Sequence, residues 1–237
     1  SGSAQGKVLI EEFYRTMIHI AGKIPFWCVI PPWMTNKDYD ALYNIASIYD
    51  MDYLNFENVS IIPIGEYFGA SMWQLFKSLK SPFKSVLKMA LLEKSIYEES
   101  RDSILCNIMK ASWSRGKRDT ITEDAYLILY DRIRDYYSRI NDPINLELIE
   151  KCFFMKIGIS SVKELTETTF GIRKVIVDSC AKRCDWNIDK IIRNGRYRNW
   201  NFETISQISS DINHYMINTF SKLSSLLKVS AGMNTLI

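Results

Sequence analysis

A chain of 237 residues, 47% of them hydrophobic, is long enough to bury a substantial core, and a formal net charge of only +3 argues against bulk nucleic-acid binding. No apolar run approaches the roughly 20 residues that a bilayer crossing needs, and no secretory leader pattern opens the sequence, so a cytoplasmic protein without a membrane partner is expected. In chain order, Gly2 to Gly6 is a Gly-rich turn, and Lys7 to Ala21 predicts a helix with Leu9, Phe13, Met17 and Ile20 on its buried side and Gly22 as its stop. Phe26 to Ile30, bounded by Pro25 and by Pro31 and Pro32, has the character of a short buried strand. From about Asp38 onward almost everything is helical. Phe68, Met72, Leu75, Phe76 and Leu79 predict one buried helix face. Ser81 and Pro82 open the next helix as N-cap and first-turn residue, with Phe83, Val86, Leu87, Ala90 and Leu91 pointing inward. Thr120 and Glu123 form a capping box before a stripe of Tyr126, Leu129, Tyr130, Ile133, Tyr137 and Ile140. Asp142 and Pro143 start another helix that ends near Gly158, Ser161 and Glu164 start a third, and Phe202 to Leu227 closes the chain as a long helix.

Few residues suggest chemistry of their own. The five cysteines, Cys28, Cys106, Cys152, Cys180 and Cys184, sit mostly among apolar neighbours, as reduced buried thiols do. Cys180 and Cys184 are one helical turn apart, but with His19 and His214 as the only histidines a zinc site lacks ligands. Asp38 and Asp40 form one Asp-x-Asp and Asp50 and Asp52 another; both lie in polar, Tyr- and Asn-rich sequence and read as solvated acids. Lys77, Lys80, Lys84 and Lys88 are a one-sign excess on the solvent sides of two helices, which ordinary helix packing does not require.

The words GEYFGASMWQLFKS and SPFKSVLK between Gly65 and Lys88 resemble the class I adenylate cyclases, the enterobacterial type that makes cyclic AMP from ATP. GSAQ, EEFYRT and AGK near the start, CFFMKI at Cys152 to Ile157, and the Trp186 region leading to Asn199 and Trp200 follow in the same order. The resemblance implies a mainly α chain: residues 1–35 as the C-terminal remnant, one helix and one short strand, of a truncated nucleotidyltransferase-like α+β domain, and residues 36–237 as a helical domain. Phe26 to Ile30 would then be the last strand of that truncated sheet. The family's Gly-Ser turn followed by Asp-x-Asp, whose carboxylates would hold Mg²⁺, is not found at the right spacing, so no catalytic residue is expected in this chain. The metal would be held mainly by an upstream catalytic segment of the same protein. Ser1 enters the GSAQ word directly, which suggests that the sequence begins inside a longer parent, and this segment alone is expected to be inactive.

What such a segment could offer ATP is positive charge and free N–H groups. Candidate nucleotide-binding residues are Ser3 and Gln5 in the Gly-rich turn, Arg15, Lys23 in the AGK word, and Ser81, Lys84 and Lys88. Arg15 could equally pair with Glu11, and Ser81 could serve as a cap alone. Lys84 and Lys88 repel one another at i,i+4, and an anion would relieve that repulsion. Trp73, Phe76 and Phe83 could stack on adenine, but aromatic residues at helical spacing read first as core. A second possibility is a helical nucleic-acid-binding module built on Lys110, Arg115, Lys117 and Arg118 with Trp113, and on Arg193, Arg196 and Arg198 with Tyr197 and Trp200. A third is a structural or regulatory helical domain that touches no nucleotide.

Overall fold

The computed structural model describes residues 23–48, 52–55, 64–98, 105–115, 125–166 and 171–233. Helices dominate them. In chain order they are β1 (Ile24–Pro25), α1 (Phe26–Val29), α2 (Asn36–Ile48), β2 (Tyr53–Leu54), α3 (Ile64–Ser78), α4 (Pro82–Tyr97), α5 (Leu105–Ser114), α6 (Ala125–Arg139), α7 (Pro143–Ile157), α8 (Val162–Thr166), α9 (Gly171–Cys184), α10 (Ile188–Gly195), a 3-10 turn (Tyr197–Asn199) and α11 (Phe202–Met233). The chain divides into two compact units, Ser1–Glu66 with Tyr97–Ala125, and Tyr67–Ile96 with Tyr126–Ile237. The expected first helix, its Gly22 stop, the Gly2 to Gly6 turn and the Thr120–Glu123 box lie outside the described residues. Among the described residues no helix is long and apolar enough to cross a membrane.

The first unit corrects the expected strand. Ile24 and Pro25 pair in parallel with Tyr53 and Leu54, and Phe26–Val29 is a helical turn. Phe26 and Trp27 are neighbours in sequence and both buried, which a turn of helix allows and an alternating strand does not. Phe26 meets Tyr39, Tyr43 and Tyr53 edge-on with ring centroids 5.2–5.3 Å apart, so tertiary packing decides an apolar run that periodicity leaves ambiguous. The Thr35 hydroxyl accepts from the Asp38 N–H at 3.2 Å and donates to the Asp38 carboxylate at 2.6 Å, which fixes the start of α2. Lys110 is buried; its ammonium donates to the Trp27 carbonyl and lies 4.1 Å from the Trp27 ring centroid.

In the second unit the local start and stop signals act as expected. Asp142 caps α7 by accepting from the Asn145 N–H at 3.1 Å, and Gly158, at φ 72°, ends it in a left-handed conformation that glycine adopts without strain. Ser161 accepts from the Glu164 N–H at the start of α8. Leu129, Tyr130, Ile133 and Tyr137 of α6 are buried, with Tyr130 stacked on Phe153 at 3.8 Å. Ile140, beyond the helix end, is exposed. α4 buries Val86, Leu87, Met89 and Ala90, whereas α3 departs from its expected face. Tyr67 and Ser71 are covered, yet Met72, Phe76 and Leu79 are 50%, 61% and 82% exposed. The spacing identifies the helix but not which side other elements reach. Ser71 tolerates burial because its hydroxyl donates to the Phe68 carbonyl at 2.8 Å.

A polar cluster sits inside this unit. Glu93, 2% exposed, accepts from the Tyr137 hydroxyl and from Lys222 at 2.9 Å, and Tyr215 shares a 2.7 Å hydrogen bond with Tyr137. Burial, followed by the nearby Tyr215 and Glu93, holds the Tyr137 phenol above its ordinary range; burial and Glu93 do the same to Tyr215. Both are therefore neutral hydroxyls near neutral pH. The stability they hold is full there and is lost as the pH rises past the unfolded phenol value of about 10.

All five cysteines are free thiols. Burial pushes the Cys184 thiol up to about 11, against the opposing effect of its 2.6 Å hydrogen bond with Tyr130. Iodoacetamide at pH 8 is expected to label Cys184 about two orders of magnitude more slowly in the folded chain than after denaturation, because the thiolate is the nucleophile. Equal rates in the two states, read by peptide mass analysis, would contradict this placement.

Candidate functional site

The second unit contains an open cavity of about 470 Å³ where the turn between α3 and α4 meets the 3-10 turn and the first half of α11. Buried Met155, Ile208 and Ile212 form its floor. Half-buried Phe83, Tyr197 and Trp200 form an aromatic wall, with the Phe83 and Tyr197 rings edge-on at 4.9 Å. The Trp200 indole N–H donates to the Arg193 carbonyl at 2.8 Å, so that ring is held in place. At the mouth are the exposed side chains of Arg198, Ser209 and Asn213. None of the three has a hydrogen-bonding or ion-pair partner among the described residues.

Lys84 and Lys88 lie one turn apart on α4, which begins at the cavity with Pro82 and Phe83. Both are exposed, and no carboxylate pairs with either among the described residues. Ser81 directly precedes the helix. Ser81, Lys84 and Lys88 thus fall on one short stretch of chain at the start of α4, and none of the three is among the residues that line the cavity. Lys23 belongs to the other unit, where it is half-exposed and 3.7 Å from the exposed Asp52. Ser3, Gln5 and Arg15 lie outside the described residues. Asp38 and Asp40 are exposed on α2, Asp38 being engaged by Thr35, and Asp50 is not among the described residues.

Two aromatic residues overturn their expected core placement. Trp73 and Phe76 are 53% and 61% exposed and stack on one another at 5.5 Å, with the Lys77 ammonium 5.1 Å from the Trp73 ring centroid. Phe83 is half-buried as cavity wall. The basic clusters weighed for nucleic acid also change character. Lys110 is buried and cannot face a phosphate backbone, while Arg196 is tied to the Ser160 carbonyl. Nothing in the sequence marks Ser209 and Asn213, because a serine and an asparagine one turn apart on an amphipathic helix look like ordinary surface residues.

A sequence family described as "Adenylate cyclase, class-I, second domain" matches residues 62–234, which is most of the chain and all of the cavity. The chain belongs to the class-I adenylate cyclase family. Residues 1–28 match a second description, "Adenylate cyclase NT domain". Proteins named adenylate cyclase from Yersinia intermedia, Salmonella typhimurium and Escherichia coli K12 are 30%, 28% and 28% identical over 94% of this chain. The chain spans 26% of the length of each of these adenylate cyclases. No solved structure matches it.

Proposed function

We propose that this chain is the triphosphate-gripping and scaffolding part of a cytoplasmic class I adenylate cyclase that converts ATP to 3′,5′-cyclic AMP and pyrophosphate. The observation that carries this is the pair Lys84 and Lys88: two exposed ammonium groups one turn apart, without a carboxylate partner among the described residues, on the helix that begins at an aromatic-walled cavity. Held at i,i+4, their mutual repulsion is relieved by an anion bound between them. In the reaction the ribose 3′-oxygen attacks the α-phosphorus and the bond to pyrophosphate breaks. Charge builds on the departing oxygens, and fixed cations there lower the barrier without reorganising.

Ser81 would add its hydroxyl at the helix start, and Lys23, whose ion pair with Asp52 is exposed and weak, would keep its ammonium available to a phosphate. Ser3, Gln5 and Arg15 complete the proposed set, on residues 1–35 as the remnant of the catalytic domain, ahead of a helical domain over 36–237. Among the described residues no three Asp, Glu, His or Cys side chains come together as a metal site. The Mg²⁺ expected of such an enzyme does not fit the residues seen here and is assigned to carboxylates of an upstream segment, without which this chain would make no cyclic AMP.

Reversing both charges, Lys84→Glu with Lys88→Glu, in the complete cyclase is expected to raise the KM for ATP at least about tenfold, the loss of one charge-assisted contact or more. Both side chains are exposed, so the fold should survive and circular dichroism should be unchanged. An unaltered KM would reduce this helix to scaffold.

A further inference from the structure

The cavity at the start of α4 has features that phosphate binding does not need. A floor of Met155, Ile208 and Ile212 and a wall of Phe83, Tyr197 and Trp200 offer a triphosphate nothing, since anions gain no stabilisation from apolar and aromatic surface. They suit a flat, weakly polar ring. At the mouth stand one cation, Arg198, one hydroxyl, Ser209, and one carboxamide, Asn213, each exposed and without a hydrogen-bonding or ion-pair partner among the described residues. Ser209 and Asn213 are one turn apart on α11 and so share a side of that helix with Ile205, another lining residue. An apolar floor, an aromatic wall and a few convergent polar groups are the composition of a small-molecule site.

Given the triphosphate reading above, on which this inference rests, the helix that the cavity shares with the lysine pair narrows the ligand further. Phe83 of the wall belongs to the first turn of α4, the helix that also carries Lys84 and Lys88, although neither lysine lines the cavity itself. We infer that this cavity holds the purine base of the nucleotide, with Asn213 reading its edge. A carboxamide carries a donor and an acceptor side by side, the complement of the N6 amino group and N7 of adenine. Guanine presents O6 and N7, two acceptors, on that edge, and its N1–H and N2 amino donors on another. Asn213 thus favours adenine. A carboxylate in its place would favour guanine, because it can accept from N1–H and N2–H together and has no donor for the adenine N7. Arg198, against the face of Tyr197 at 5.8 Å, supplies a guanidinium at the mouth where the base gives way to the sugar and phosphates.

The test compares three variants of the complete cyclase, assayed with ATP and with GTP. Asn213→Asp changes an exposed carboxamide to a carboxylate, and Ser209→Trp places an indole across the mouth from an exposed position, so neither disturbs the buried core. The third is the Lys84→Glu, Lys88→Glu pair. Expected are a fall of about tenfold or more in the ratio of kcat/KM for ATP to that for GTP in Asn213→Asp, and a rise of at least about tenfold in the KM for ATP in Ser209→Trp. If the lysine pair raises KM while both cavity variants keep wild-type discrimination and KM, the base lies elsewhere and only this inference falls. If none of the three alters nucleotide kinetics, the triphosphate reading falls with it.

Discussion

Replacing Glu93 by alanine is expected to cost the second unit about 3 kcal/mol. The carboxylate is 2% exposed and accepts from Tyr137 and from Lys222, and Tyr137 in turn is bonded to the buried Tyr215. Truncation leaves a buried phenol without its acceptor and an empty volume among Tyr137, Tyr215 and Thr219, whereas Lys222, about half exposed, regains water at little cost. In a chain of this size the loss corresponds to a melting temperature lower by about 6–12 °C. Glu93→Gln retains the volume and one acceptor and should cost about half as much. A double-mutant cycle with Tyr137→Phe isolates the bond itself and should return a coupling of about 1 kcal/mol or more. An alanine variant that melts within a degree of the wild type would mean that the cluster is not closed as described.

Alanine at Gly195 should be at least as damaging, for a steric reason. Gly195 is the last residue of α10, and a Cβ added there would stand 1.7 Å from the Ile159 carbonyl oxygen and 2.4 Å from its carbonyl carbon. Both are backbone atoms just past the Gly158 turn, so no side chain can swing away. Relief requires α10 to move off the end of α7, at an expected cost of about 3 kcal/mol or more. Gly69 supplies the control. It is exposed in α3 with nothing within 4 Å of an added methyl group, and alanine there should raise stability by about 0.5–1 kcal/mol through its better helix propensity. The same chemical change at two glycines thus carries opposite signs, which denaturant melts of the two variants would read directly.

The contrast between what was and was not legible in the sequence follows the range of the forces involved. Asp142 with Pro143, Gly158, and Ser161 with Glu164 mark helix ends through contacts within four residues, and each was visible in the sequence. The family words likewise single out Ser81, Lys84 and Lys88, which stand together at the start of α4. Three features needed the tertiary structure. The turn at Phe26 is decided by tyrosines from α2 and β2, the covered side of α3 is decided by what packs on Tyr67 and Ser71, and Lys110 is drawn inside by the Trp27 carbonyl and ring. Ser209 and Asn213 were hidden for a different reason. They acquire meaning only when Phe83 and Tyr197, more than a hundred residues apart in sequence, form one wall with them.

The 32 residues of α11 extend over about 48 Å, and successive turns of this single helix serve two purposes. Ile208 and Ile212 lie beneath the cavity; Thr219 and Lys222 reach the Glu93 carboxylate, and Tyr215 the Tyr137 hydroxyl that donates to it. Backbone amides from Ile208 to Lys222 should accordingly exchange with solvent deuterium as one cooperative block rather than as two. A ligand seated at the near end would then protect amides several turns beyond anything it touches.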